Sequence, residues 1–258
     1  MSKKIIVFLI TLLSILTIGV VVMLIFLLSG KFNISLFSRT SEKLVFEKVY
    51  ENNYKDIRIK ADSANIYVKE SENNSFKLLV YNDDNREPIV KDGEEVLDID
   101  SNEKKCNGFC FNRKITKLEL YVPSNYEGHL NIVNDAGNVK IEADEISTLD
   151  VDMDAGNFNA KTIKTANVKT DAGNIKIENI SNKCDLNTDA GNITIDSIDI
   201  KENSIIKTDV GNVKIGRTNE IYIDTKTDVG KVTINNNERK SEITLKITTD
   251  VGNIKVKN

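Results

Sequence analysis

The phrase Asp-Ala/Val-Gly-Asn is written seven times between "NDAGNVKI" (134–141) and "TDVGNIKV" (249–256), once with Lys231 in place of the Asn. Its aspartates stand at 135, 154, 171, 189, 209, 228 and 250, so the copies follow each other at 17–22 residues. A unit of about 20 residues cannot bury a face of its own, so copies must stack on one another. Apolar and polar residues alternate on both sides of each glycine. After it come Val139/Ile141, Phe158/Ala160, Ile175/Ile177, Ile193/Ile195, Val213/Ile215, Val232/Ile234 and Ile254/Val256, each pair around a Lys, Asn or Thr. Before it come Val151, Val168, Leu186, Ile206 and Ile247, followed two residues on by Met153, Thr170, Thr188, Thr208 and Thr249. Period-two alternation is the pattern of a strand with one buried and one wet face.

The expected fold is therefore all-β: a parallel β-solenoid of about 19-residue coils. Each coil reads as strand, Gly corner, strand and variable polar loop, the loops including "EADEIST", "ENISNK" and "NNNERKSE". Seven coils at the spacing of paired strands make a rod section of roughly 30–35 Å. An antiparallel sandwich is the rival architecture. The lack of helical periodicity between strands excludes a doubly wound α/β fold. Residues 134–258 form the solenoid repeats, and residues 44–133 an irregular β cap in which "ADSANIYV" echoes the motif without its Gly.

Gly137, Gly156, Gly173, Gly191, Gly211, Gly230 and Gly252 mark structural corners that need positive φ or close backbone approach. Asn138, Asn157, Asn174, Asn192, Asn212 and Asn253 would then form an amide ladder. The aspartates pose a sharper question, because Asp171, Asp189, Asp209 and Asp228 point away from the core by parity. A row of carboxylates one strand apart repels itself. Lys169, Lys207 and Lys226, two residues before an Asp, can balance that charge; Ca²⁺ between coils is the alternative. One motif Asp per coil falls short of the six to eight oxygens calcium takes, so these four are weak metal candidates and the motif reads as a scaffold corner.

Ahead of the repeats, residues 5–28 ("IIVFLITLLSILTIGVVVMLIFLL") carry no charge. As a helix they exceed the roughly 30 Å bilayer core, which predicts one transmembrane helix rather than a cleaved signal peptide. Lys3 and Lys4 precede it and place the N-terminus in the cytoplasm. The chain then divides into a cytoplasmic tip and anchor (1–30), a linker (31–43), the cap and the solenoid. The expected location is the cell membrane, single-pass, with the C-terminal domain extracytoplasmic. Of the 35 basic and 39 acidic side chains only Lys3 and Lys4 fall in the first 30 residues, so the remainder carries a formal charge of −6. That argues against nucleic acid as a partner.

Cys106 and Cys110 in "KCNGFC" can close a small disulfide outside the cell, with two free thiols as the alternative. Cys184 occupies an apolar position of a repeat and reads as a core residue. His129 is the single histidine, and no G-x-S-x-G, P-loop or zinc motif occurs. No catalytic residue, metal site or cofactor is therefore assigned, and the chain does not read as an enzyme.

The anchor, the "ELYVPSNYEGHLNIVNDAGNVKI" transition and the repeated "T-D-x-G-N-[IV]-x-[IV]" coils resemble a bacterial putative-adhesin β-strand-repeat family of unknown function, which includes LiaG-type proteins of envelope-stress operons. The resemblance covers about residues 44–258. It implies a solenoid-like ectodomain at the cell surface, a role in adhesion or envelope stress, and no catalytic residues. The expected function is a membrane-anchored binding or structural module of the cell envelope. Its partner is a wall, lipid or protein component, met by the polar faces and the loops at 102–116 and 235–242. Two alternatives stand beside it. One is a self-assembling envelope scaffold, pairing through a last coil left uncovered where the sequence reads "VGNIKVKN". The other is a glycan hydrolase on a β-helix.

Overall fold

Alternation of this kind leaves the repeat backbone no helical option, and in the computed structural model the regular elements among the described residues are all strands. It describes residues 43–83, 85–101, 115–124, 126–235 and 241–257. The first strands are β1 (Leu44–Tyr50), β2 (Asp56–Glu70), β3 (Phe76–Tyr81), β4 (Ile89–Asp92), β5 (Val96–Asp100) and β6 (Thr116–Val122). The next are β7 (His129–Ala136), β8 (Val139–Ala155), β9 (Phe158–Ala172), β10 (Ile175–Ala190), β11 (Ile193–Ile198) and β12 (Ser204–Val210). The last are β13 (Val213–Ile215), β14 (Tyr222–Val229), β15 (Val232–Ile234), β16 (Thr244–Val251) and β17 (Ile254–Val256). Residues 5–28 and Cys106 and Cys110 lie outside the described residues, as do most of the 102–116 loop and 236–240. No helix among the described residues is long and apolar enough to cross a membrane.

The strands stack in register into parallel ladders. Val139, Phe158, Ile175, Ile193, Val213, Ile254 and Val232 form one column, one residue per coil. Leu149, Ala166, Cys184, Ser204, Leu245 and Ile223 lie along another. A third column, Ile146, Ile163, Ile180 and Ile198, is fully buried. It sits where the sequence predicts the polar loops "EADEIST" and "ENISNK". Those segments lie inside β8 and β10, marked only by register shifts at Ile141/Glu145 and Ile180/Lys183. The reason is the third inward aliphatic: it gives the chain something to bury at the second bend, so the ladder continues through it.

The order of coils along the rod departs from the order in sequence at both ends. In space it runs 96–122, 56–70, 129–146, 148–163, 165–180, 183–198, 204–215, 244–256 and 222–234. Strand β2 is thus held between β5/β6 and β7/β8. Likewise β16 lies between β12 and β14, and β17 between β13 and β15. The expectation of an uncovered edge at "VGNIKVKN" is overturned: that coil is paired on both sides, because the chain passes over its place, forms 222–234 one level further out, and returns to fill the gap. The parallel ladder also starts earlier than the first motif copy, at Asp56. Beyond it, β3 pairs antiparallel with β6, β1 with β3 and β4 with β5, and these strands close that end. The ladder is roughly 40 Å long at strand spacing.

Candidate functional site

The glycines and asparagines of the motif are accounted for by their contacts with the neighbouring coil. A Cβ on Gly173 would overlap the backbone carbonyl oxygen of Gly156, well inside the 3.0 Å that Cβ atoms keep. Gly137, Gly156, Gly191, Gly211, Gly252 and Gly230 meet the carbonyl of the preceding coil in the same way. Only Gly137, Gly156, Gly230 and Gly252 have φ in the positive region, so close approach is the requirement all seven share. The first level carries Ala64 at the corresponding position.

The glycine carbonyls also explain the threonines. Thr188 Oγ1 donates to Gly173 O at 3.0 Å, Thr208 to Gly191 O at 3.0 Å, Thr249 to Gly211 O at 3.1 Å and Thr227 to Gly252 O at 3.0 Å. The asparagines form one continuous run in which each Oδ1 accepts from the next coil's backbone N–H and Nδ2. It passes from Asn65 through Asn138, Asn157, Asn174, Asn192 and Asn212 to Asn253. It ends at the Lys231 N–H, 2.9 Å from Asn253 Oδ1. Lys231 stands on the outermost coil, where no further coil needs an acceptor. The one exception to the motif is thereby explained by position.

Asp171, Asp189 and Asp228 are exposed and Asp209 is half-buried. Lys207 bonds Asp209 at 2.9 Å and Lys226 bonds Asp228 at 3.2 Å, each two residues back on the same strand. Among the described residues no group of three His, Cys, Asp or Glu side chains is placed to hold a metal.

At the opposite end of the ladder is a cleft of about 910 Å³. Its floor comes from a chain of edge-to-face aromatic contacts: Tyr50–Tyr54, Tyr54–Phe76 and Phe76–Tyr126, with centroids 6.0, 5.1 and 5.4 Å apart. The rings converge because Tyr54 precedes β2, Phe76 opens β3 and Tyr126 precedes β7, three strand starts on one side of the cap. Tyr54 Oη donates to Asp92, which also takes Lys48 Nζ at 2.9 Å and Asn52 Nδ2 at 3.3 Å. Those bonds hold the Asp92 carboxyl below its ordinary range. Burial, with Asp92 nearby, pushes the Tyr50 phenol up to about 12, and burial likewise raises Tyr54 and Tyr126. The floor is therefore neutral at physiological pH. Exposed Glu51, Asn53, Asn74 and Glu127 form the rim.

His129 lies at the edge of this cleft, its side chain 35% exposed. Its Nε2 is 2.6 Å from Asp150 and its Nδ1 3.3 Å from Asp56, so it links three successive coils. The sequence shows His129 as solitary, because its partners lie 21 and 73 residues away. The trace of the cleft in the sequence is the Tyr-Glu-Asn-Asn-Tyr run at 50–54, a close mix of aromatic and amide groups.

A family model described as Toastrack DUF4097 matches residues 54–258. Among solved structures, the chain is similar to a putative adhesin from Bacteroides fragilis, with a TM-score of 0.53 and 19% identity over 83% of this chain and 97% of that one. It is also similar to a putative adhesin from Parabacteroides merdae, with a TM-score of 0.47 and 11% identity over 84% and 95%. No curated protein sequence matches the chain. The stacked-corner ladder that begins at β2 and the extent of the family match coincide, and the chain belongs to the Toastrack DUF4097 family.

Proposed function

We propose that this chain is an adhesin-like binding module of a bacterial cell envelope, anchored in the membrane through residues 5–28 with the solenoid outside the cytoplasm. The observation that carries the binding role is the cleft of about 910 Å³, a neutral aromatic floor under a rim of amides and carboxylates. Ligand sites combine apolar surface with a few placed polar groups in this way. A rim of hydrogen-bonding side chains suits a hydroxyl-rich ligand, and the net negative charge of residues 31–258 disfavours anionic polymers. A wall glycan fits both conditions. The anchor rests on the uncharged length of residues 5–28.

The test is co-sedimentation of the full chain, in detergent, with isolated cell walls, in calcium and in chelator. Saturable binding that falls at least tenfold in the Asn53→Ala/Glu127→Ala variant supports the cleft. Binding that is equal in that variant moves the contact to the rod faces. Binding lost in chelator assigns it to the aspartate row, and no binding in any condition refutes a wall ligand.

A further inference from the structure

The rod face over β8, β9 and β10 carries its charges in alternation. Register sets the outward residues Lys140, Asn159 and Lys176 side by side on successive coils. Two residues on, the same strands carry Glu142, Lys161 and Glu178. That second row reads minus, plus, minus. Lys140 Nζ donates to Glu142 at 2.6 Å, and Lys161 Nζ to Asp144 at 2.7 Å, with Glu178 acting on Lys161 as well. The first row reads plus, neutral, plus. A negative group at Asn159 would have a lysine on either side and Lys161 next along its own strand, yet the chain puts an amide there. Among the described residues neither the Asn159 side-chain amide nor the Lys176 ammonium has a hydrogen-bond or ion-pair partner. The backbone is irregular at the same place. Pairing passes from Ile141↔Ala160 to Glu145↔Thr162, so three residues of β8 bulge against the single Lys161. Bulges of this kind recur beside functional sites, where they re-aim side chains. This one borders a groove of about 470 Å³ lined by both rows.

We propose that this groove binds the carboxyl end of a peptide, with the carboxylate over Asn159 between Lys140 and Lys176. The ligand supplies the one negative charge that the alternation lacks. Like charges on neighbouring strands repel, so Lys140, Lys161 and Lys176 around a neutral amide leave a site of positive potential, and the Asn159 Nδ2 adds a donor beneath it. A single charge fits this place. The second charge of a phosphate dianion would stand against Glu142 and Glu178. The peptide behind the carboxylate meets the amide ladder, which runs two residues before the lysine row. Asn157 Nδ2 donates to Asn138 Oδ1 at 3.2 Å and Asn174 Nδ2 to Asn157 Oδ1 at 3.0 Å. Each amide nitrogen has two hydrogens, so each has a second N–H for a peptide carbonyl. The groove shares no residue with the aromatic cleft and does not depend on the ligand proposed for it.

The test is a titration of the full chain, labelled with ¹⁵N-asparagine, in non-ionic detergent at low salt. The probes are N-acetyl-alanyl-alanine, its carboxamide, glucuronate and inorganic phosphate. The free acid is expected to move the Asn159 side-chain amide signals saturably, and the carboxamide to leave them in place. Lys176→Gln should weaken the acid about tenfold, as loss of one charge-assisted bond does. Asn159→Asp puts a carboxylate where the ligand's would sit. Followed at Asn157 and Asn174, it should abolish binding, and it should raise the unfolding midpoint with no ligand present. An absence of saturable shifts overturns the inference, as does an equal response to the carboxamide. Binding retained in Asn159→Asp overturns its placement, and a lower unfolding midpoint in that variant overturns the charge argument. Phosphate or glucuronate binding as tightly as the dipeptide overturns the assignment to a peptide end.

Discussion

Gly173→Ala tests whether the corner is built on close approach. Gly173 lies in the middle of the ladder, and its φ is outside the left-handed region, so alanine meets no conformational penalty there. The obstacle is the Gly156 carbonyl oxygen, which occupies the place of the new methyl. Relief requires the two coils to part locally by roughly 1 Å, against a strand spacing of about 4.8 Å. Four hydrogen bonds join these coils at that corner. They are Gly156 N–H to Ala172 O at 3.0 Å, Phe158 N–H to Asn174 O at 2.9 Å, and Asn157 Oδ1 from Asn174 N–H at 3.2 Å and Nδ2 at 3.0 Å. At about 1 kcal/mol each, stretching them together costs about 3 kcal/mol. Ala172→Val is the control, because valine already fills that exposed position on three coils, and a change within about 0.5 kcal/mol is expected. Urea unfolding of the full chain in detergent measures the difference, and hydrogen exchange at Ile175 and Phe158 localises it. A Gly173→Ala midpoint equal to that of Ala172→Val would refute the steric account.

Three further outcomes follow from the same contacts. Thr208→Val removes the donor to Gly191 O and should lower stability by about 1–2 kcal/mol, whereas Thr170→Val should be neutral or stabilising, since the buried Thr170 hydroxyl has no partner among the described residues; thermal melts of the pair decide it. Glu119 is buried, which alone would raise its pKa, but hydrogen bonds from Lys117 and Lys69 hold it below the ordinary range. Its contribution is therefore complete above about pH 4.3 and is lost as pH falls through the depressed folded value. Glu119→Gln should remove that acid step in a pH series of unfolding curves, at a cost of about 3 kcal/mol at neutral pH. The Cys184 thiol, pushed up to about 12 by burial, should resist a thiol reagent in the native chain and react only in denaturant, counted by mass spectrometry.

What could be read from the residues alone divides by the range of the interaction. Alternation around Gly-Asn names the strands, the parity of Ile175 and Ile177, and the parallel stacking, because each is a consequence of one short unit repeated. The third buried column was legible in principle, since Ile163, Ile180 and Ile198 each follow an inward pair by three residues, but the polar residues between them resemble a loop. The inversion of coil order was not legible. Coils 222–234 and 244–256 carry the same motif, and nothing local says which lies outermost except Lys231, whose meaning depends on already knowing that the amide ladder ends there. The cleft lies furthest from the pattern, as Tyr54, Phe76 and Tyr126 come from three separated segments of the irregular end.

The inverted order has a physical use that a simple stack lacks. A solenoid whose coils contact only their neighbours frays from its ends, where a terminal coil can leave and release its chain as a free tail. Here the outermost coils, 96–122 and 222–234, are each tied into the chain on both sides, and the last strands in sequence lie one level inside. If β14 and β15 detach, residues 216–243 remain a closed loop whose ends are fixed by β13 and β16. Closing a loop already removes much of the entropy a free tail would gain. The inner terminal coil cannot leave without breaking ladders to β12 and β14 together. Both ends of the rod use the device, with β2 held between β6 and β8 as β17 is held between β13 and β15.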